Sequence, residues 1–226
     1  MNITLAFDVY GTLIDTQGVV TALEKVMGEQ AEAFARSWRD KQLEYAFRRG
    51  LMQNYENFAV CTEQALRFCS ELYGIQLTDT QVQHLMQSYQ TLPCYPDTHD
   101  GLTKLKSREL QLFAFSNGTE QAVDTLLSNA NIRHYFIDLI SVDDLKSFKP
   151  NPAVYQHFLS KSESQPKQTW LVSSNPFDVL GAMSAGLGGI WVQRNPSAVF
   201  DPWGIEPNLT VKNLEELDSK ITSLLP

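Results

Sequence analysis

The sequence predicts an α/β protein, a Rossmann-like doubly wound parallel sheet core with a helical cap subdomain inserted after the first strand. Three observations carry this reading. An apolar run beginning at Ile3 ends on Asp8 and turns at Gly11-Thr12, the pattern of a buried strand closed by a turn. The stretch from about residue 17 to residue 92 carries helical periodicity alone, and from Pro96 onward strand-like and helix-like segments alternate. Such alternation implies parallel strands joined by right-handed crossovers. The expected division is a core domain of residues 1–15 and 97–226 and a cap of residues 16–96.

Within the insertion, apolar residues recur at helical spacing, as at Phe34, Trp38 and Tyr45 and again at Leu66, Cys69 and Tyr73, which predicts amphipathic helices. Thr78 followed by Gln81 forms a capping-box pattern for one more helix through Tyr89. Pro93 and Pro96 close the block. Beyond them the sequence predicts a helix over 101–108 and a strand over 111–115 ending on Ser116-Asn117-Gly118. A helix through Leu127, a short strand over 139–141 and a helix after Pro152 come next. A strand over 170–174, a helix over 178–185 and a last strand over 189–192 complete the expected order. The glycines at 186, 188 and 189 follow a helix and precede a strand, the reverse of a dinucleotide-binding fingerprint, and read as helix-end chemistry.

The composition, 43% hydrophobic and 19% charged over 226 residues, suits a globular domain and suggests neither disorder nor a membrane span. A net charge of −8 without any Lys/Arg stripe argues against nucleic acid as a partner. Cys61, Cys69 and Cys94 are odd in number and lack metal-ligand spacing, so they read as free thiols in a reducing compartment. The four histidines share no ligand spacing either. Asp8 interrupts the first apolar run, which therefore does not resemble a secretion signal, and a cytoplasmic location is expected.

Polar residues stand at four predicted strand ends: Asp8, Ser116-Asn117, Lys149 in the loop after 139–141, and Ser173-Ser174-Asn175 with Asp178. In a parallel sheet these ends share one edge, the place where open α/β sheets build their sites. Asp8 is the candidate nucleophile there, and it needs a cation and hydrogen-bond donors to stay ionised in a partly dry pocket. Lys149, held before Pro150, is the candidate cation, with Lys146 as its rival. Asp178, in the first turn of a helix, is a candidate to activate water, although an acidic residue there also stabilises the helix end. Ser116 and Asn117 are placed either to cap a helix or to bind an anion. On these residues alone Asp8 is compatible with phosphoryl transfer, dehalogenation or simple binding.

DVYGTL, SWRDKQLEY, SNG, SFKPNPAVY and SSNPFD, in that order and spanning nearly the whole chain, resemble the haloacid dehalogenase superfamily, and within it the hydrolytic L-2-haloacid dehalogenases. The resemblance implies that Asp8 attacks carbon to form an ester with inversion, supported by Thr12, Lys149, Ser173 and Asn175, and that Asp178 serves the water that cleaves it. It makes Ser116 a binder of the substrate carboxylate, Asn117 a neighbour of the leaving halide and Arg39 of the lid the halide's cation. Tyr10, Leu43, Phe58 and Phe177 become pocket walls, and Tyr155, which completes the K-P-x-x-x-x-Y pattern that begins at Lys149, joins the substrate-binding residues. Two positions depart from the family: Asp40 follows Arg39 where an uncharged amide is usual, and Phe177 stands where an indole is often found.

Phosphatases of the superfamily carry a second Asp two residues after the nucleophile and acidic residues that hold Mg²⁺. Here those places hold Tyr10, Ser173 and Ser174, and neutral hydroxyls are poor substitutes for carboxylates toward a hard cation. The expected enzyme is metal-free and without cofactor. It takes short L-2-haloalkanoic acids and haloacetates to 2-hydroxy acids and halide, with no nucleic acid or membrane partner and with a homodimer as one possible assembly. The alternatives are a Mg²⁺-dependent phosphatase on the same fold and an idle relative that only binds small acids.

Overall fold

A computed structural model describes residues 3–224, so the outermost residues of the expected core domain, 1–2 and 225–226, lie outside the described residues. Strand β1 (Thr4–Asp8) is followed by α1 (Val20–Met27), α2 (Ala31–Met52), α3 (Phe58–Leu72) and α4 (Asp79–Ser88). The chain then alternates through α5 (Thr98–Lys106), β2 (Gln111–Ser116), α6 (Glu120–Asn129), β3 (Asp138–Ser141) and α7 (Pro152–Lys161). It continues through β4 (Thr169–Ser173), α8 (Pro176–Ser184), β5 (Gly188–Val192), β6 (Leu209–Val211) and α9 (Leu214–Lys220). The strand expected last, at 189–192, is not the edge of the sheet. Beyond it the chain makes a polar, proline-containing excursion and adds the three-residue β6 and α9, both absent from the sequence prediction.

All strand pairs are parallel, in the order β3-β2-β1-β4-β5-β6. The order reverses at β1, which lies between β2 and β4, so the crevice at its carboxyl end is the topological switch point. Asp8 sits opposite Phe115 in β2, one residue before Ser116, and Phe7 sits opposite Val172, one residue before Ser173. That register brings the ends of three strands together.

β1 is apolar from Leu5 to Phe7 and wholly buried because helices cover both faces of the sheet. Leu5 and Phe7 belong to the larger core cluster, with Leu112, Ala114 and Leu214. Ala6 points to the opposite layer, with Phe113, Phe115, Tyr155, Phe158 and Leu171. The larger cluster runs on into the insertion through Leu23, Phe34 and Trp38. Trp38 is fully buried and its indole N–H donates to the Thr62 carbonyl at 2.8 Å, so it belongs to the core and not to a surface. Thr78 and Gln81 form the expected capping box at α4. Cys61 and Cys69 are buried free thiols and Cys94 a half-buried one. Among the described residues no helix is long and apolar enough to cross a membrane.

The chain leaves toward the insertion and returns along adjacent paths: Asp15 N–H donates to the Pro93 carbonyl at 2.8 Å and Tyr95 N–H to the Leu13 carbonyl at 3.0 Å. Between β1 and this exit the backbone turns at Gly11, whose φ of 84° favours glycine.

Gly181 shows how tightly the core supports the strand-end site. A Cβ there would lie 2.4 Å from the Tyr155 hydroxyl and 2.7 Å from Pro150 Cβ. Alanine ordinarily gains about 0.5–1 kcal/mol over glycine inside a helix, but overpacking a filled site costs about 1–3 kcal/mol. Gly181→Ala is therefore expected to lower stability by about 1–2 kcal/mol in urea denaturation; an unchanged or raised midpoint would contradict this packing.

Candidate active site

Asp8 ends β1 and is nearly buried. Its Oδ2 accepts three hydrogen bonds: from Thr12 Oγ1 at 2.8 Å, Asn175 Nδ2 at 2.8 Å and Ser173 Oγ at 3.2 Å. Its Oδ1 accepts from Lys149 Nζ at 3.2 Å. The two carboxylate oxygens are thus unequal, one crowded with neutral donors and one facing the ammonium group.

Lys149 is 2% exposed, and its ammonium also donates to Asp178 Oδ2 at 2.8 Å and to the Phe115 carbonyl at 2.9 Å. Asn117 Oδ1 accepts from the Lys149 backbone N–H at 2.9 Å and so fixes the loop that carries it. Lys146, the rival, is exposed and paired with Asp143. Asp178 is fully buried; its other oxygen accepts from the Tyr155 hydroxyl at 2.8 Å. Burial alone would depress the Lys149 pKa, but Asp178 and then Asp8 outweigh it and hold the ammonium above the usual lysine range. Burial raises the Asp178 carboxyl, Lys149 draws it back and the charge of Asp8 adds to the rise, leaving it near 6.

Asn175 precedes α8 in the capping position, yet its side chain makes no capping bond and is spent on Asp8. Ser173 Oγ accepts from Asn175 N–H at 3.1 Å, and Thr12 Oγ1 accepts from Ser174 N–H at 2.8 Å. The β1 and β4 loops are therefore stitched together around Asp8.

Arg39, on α2, is half-buried; Nη2 lies 3.5 Å from the Tyr10 carbonyl, which Asn175 Nδ2 also approaches at 3.4 Å. Lid and strand ends thus meet at one backbone oxygen beside Asp8. Asp40 points away to solvent and forms no bond with Arg39, whose Nη1 goes instead to Gln42. Leu43 is half-buried, one turn on from Arg39 and hence on its face of α2. Phe58 packs on Tyr10 with ring centroids 5.9 Å apart, and Phe177 packs edge-on against Phe47 of α2 at 4.9 Å. Phe47 thereby joins the lid to the core. Tyr10 and Phe58 also wall a cleft of about 640 Å³ between α3, α4 and the start of α6. Asp8 does not line that cleft. Charge and donors converge instead at the carboxylates of Asp8 and Asp178.

One residue sits differently from expectation. Tyr155, expected at the substrate, is buried in the layer beneath the sheet and reaches the site only through Asp178, because its ring fills core space beside Phe115. Ser116 is fully buried, and its hydroxyl accepts from Gly118 N–H at 3.1 Å, shaping the turn after β2.

Arg194 was not singled out from the sequence. Its Nε and Nη2 donate to the Thr12 carbonyl at 3.1 and 2.7 Å, its Nη1 pairs with Asp97 at 2.6 Å, and its guanidinium lies 4.2 Å from the Tyr95 ring centre. It ties the Thr12 turn to the point where the chain re-enters the core. The available signal was its place two residues beyond a predicted strand, a fifth polar strand end.

The donor set around Asp8 does not suit Mg²⁺, the ion that the phosphatase alternative would need. The ion wants anionic oxygens, whereas Asp8 is ringed by an ammonium, two hydroxyls and an amide, and both oxygens of Asp178 are already bonded.

A parallel sheet with a strand-end aspartate at its switch point, under a helical cap, defines a class, and the comparisons agree. The chain belongs to the haloacid dehalogenase-like hydrolases, whose family model matches residues 4–186. It is 39% identical to an (S)-2-haloacid dehalogenase of Pseudomonas putida, over 98% of this chain and 97% of that one. Among solved structures it resembles the L-2-haloacid dehalogenase from Xanthobacter autotrophicus, with a TM-score of 0.90, 30% identity and 99% of each chain covered. The same enzyme with chloropropionic acid covalently bound matches at a TM-score of 0.90 and 29% identity, over 98% of this chain and 99% of that one.

Replacing Lys149 by Met leaves two carboxylates facing each other without their shared cation. Removing one partner of a buried pair typically costs about 3–5 kcal/mol, and Lys149→Met is expected to lose that much at pH 7. Without the lysine, the Asp178 pKa rises further, so the folded variant binds a proton that the unfolded chain does not. Its stability should fall as pH rises through that window, and the deficit against wild type should shrink at pH 5. Urea titrations at the two pH values check this; a deficit that grows on acidification contradicts it.

Proposed function

We propose that this chain is an (S)-2-haloacid dehalogenase that works through an ester on Asp8. The observation that carries the reading is the unequal carboxylate: Oδ2 is held by Thr12, Ser173 and Asn175, while Oδ1 faces only Lys149. Oδ1 attacks C2 of a short L-2-haloalkanoate from the side opposite the halogen. The C–O bond forms, the carbon–halogen bond breaks with its electron pair leaving on the halide, and the centre inverts. Arg39 and Asn117 meet the halide, and the Ser116 turn receives the substrate carboxylate. Tyr10, Leu43, Phe58 and Phe177 supply apolar walls that strengthen these interactions by excluding water.

Water then attacks Cγ of Asp8 and passes a proton to Asp178. The charge that develops on Oδ2 meets the three donors already in place, in the manner of an oxyanion hole. Collapse breaks the bond between Cγ and Oδ1, and the departing alkoxide takes up the proton to give the 2-hydroxy acid. Water's oxygen stays in Asp8. An Asp178 carboxyl near pKa 6 is matched to a base working near neutral pH.

The reading includes residues 16–96 as the cap and residues 1–15 with 97–226 as the core. It also includes a cytoplasmic setting suited to the three free thiols, and a homodimer to which the exposed Leu51 and Met52 at the end of α2 would lend apolar surface.

Wild-type protein should release halide from L-2-haloacids and haloacetates at a rate that EDTA leaves unchanged, and Asp8→Asn should release none; ion chromatography measures both. Phosphate release from phosphoesters that EDTA abolishes would replace this reading with a phosphatase. Binding of haloacids without turnover would replace it with an idle relative.

Protonation of Asp178 should slow turnover as pH falls through about 6. The Tyr155 hydroxyl favours the ionised carboxylate, so Tyr155→Phe should move the acid limb of the kcat profile to higher pH by up to about one unit, the worth of one hydrogen bond. A limb that stays in place, or moves to lower pH, would contradict the role given to this pair.

A further inference from the structure

We infer that Gln42 and Thr62 are positioning residues that aim Arg39 at the leaving halide. The inference rests on the proposed dehalogenation and on Arg39 as the halide's cation.

Gln42 is a fully buried polar side chain in the middle of α2, and Thr62 of α3 is nearly as buried. A buried amide is costly unless its polar atoms are bonded, and here its nitrogen and its oxygen each find one partner, in one order only. Thr62 Oγ1 donates its single proton to the Phe58 carbonyl at 2.7 Å. The hydroxyl oxygen must therefore accept from Gln42, whose Nε2 lies 2.5 Å away. With its NH₂ group turned to Thr62, Gln42 presents Oε1 to the other side, where Arg39 Nη1 donates to it at 2.6 Å. The order of protons along Arg39, Gln42, Thr62 and Phe58 is thus set by the helix α3 backbone.

The consequence is mechanical. An arginine side chain has many rotamers, and ordering it at the moment of reaction costs free energy. The chain from α3 fixes one arm of the guanidinium beforehand and leaves Nη2 turned toward the Tyr10 carbonyl, beside Asp8. Trp38 strengthens the anchor by donating to the Thr62 carbonyl, so two α2 side chains converge on one α3 residue. Phe58, whose carbonyl ends the chain, is itself the ring packed on Tyr10. The cation and an apolar wall of the pocket therefore move as one unit.

The test reads leaving-group dependence, which a loss of folded enzyme cannot move because it scales both substrates alike. Wild type, Gln42→Leu, Thr62→Val and Thr62→Ser are assayed with (S)-2-chloropropionate and (S)-2-bromopropionate, taking kcat/KM because it reports carbon–halogen cleavage. Bromide is the better leaving group and needs less help. In Gln42→Leu and Thr62→Val, kcat/KM should fall about tenfold on the chloro acid, the worth of one hydrogen bond to a charged group. It should fall less on the bromo acid, so that the bromo-to-chloro ratio widens by about threefold or more. Thr62→Ser keeps the hydroxyl and should stay near the wild-type ratio; should Gln42→Leu not fold, the two Thr62 variants carry the test. An unchanged ratio in an otherwise active wild-type background overturns the inference, as does Thr62→Ser behaving like Thr62→Val. Absence of halide from the wild-type protein overturns the proposed reaction itself, and this inference with it.

Discussion

The buried ammonium of Lys149, set between the carboxylates of Asp8 and Asp178, is the interaction on which the rest of the site depends. Two carboxylates this close would repel, and in a water-poor setting one of them would take up a proton. The lysine removes that conflict, and the fold goes to some length to keep it there. Its three ammonium donors go to Asp8, Asp178 and the Phe115 carbonyl. Its backbone N–H is held by Asn117, and Tyr155 braces Asp178 from below. The supports arrive from the ends of β1 and β2, from the start of α8 after β4 and from α7, which is why parallel register matters more here than any single residue.

The second constraint is the meeting of lid and core at Tyr10. Its carbonyl is approached by Arg39 from α2 and by Asn175 from the β4 loop, and its ring packs on Phe58 from α3. Burial drives the Tyr10 phenol far above its usual pKa, so it stays neutral and serves as a wall. Phe47 on Phe177 and Tyr55 stacked on Phe148 at 5.0 Å extend the same seam. In the proposed reaction this seam sets the insertion's cation, at the leaving halide, across from the carboxylate of the sheet that attacks carbon.

Much of this was legible in the chain itself. Asp8, Ser116-Asn117, Lys149 and Ser173-Ser174-Asn175 stood at ends of apolar runs, and parallel pairing brings such ends together. What escaped reading did so for physical reasons. β6 is three residues long and follows a polar, proline-containing excursion, too little pattern to mark a strand. Gln42 looks like a solvent-facing position by polarity, yet it is buried because a threonine one helix away satisfies its amide. Arg194 is a lone charge after a strand, and only the fold shows that it grips the Thr12 carbonyl. The spacing of Tyr155 from Lys149 says nothing about the face of α7 on which it lies, and that face turns into the core, toward Asp178. For these three side chains the missing information was a long-range partner, which periodicity does not encode.

The central claim is that Asp8 itself is the atom source for the product. A single turnover in H₂¹⁸O, with enzyme in excess over substrate, tests it most directly. Mass spectrometry of the peptide containing Asp8 should show one ¹⁸O in that residue, and the hydroxy acid should carry unlabelled oxygen. Label appearing directly in the hydroxy acid, with Asp8 unlabelled, would mean that water attacks carbon and that the aspartate is not the nucleophile.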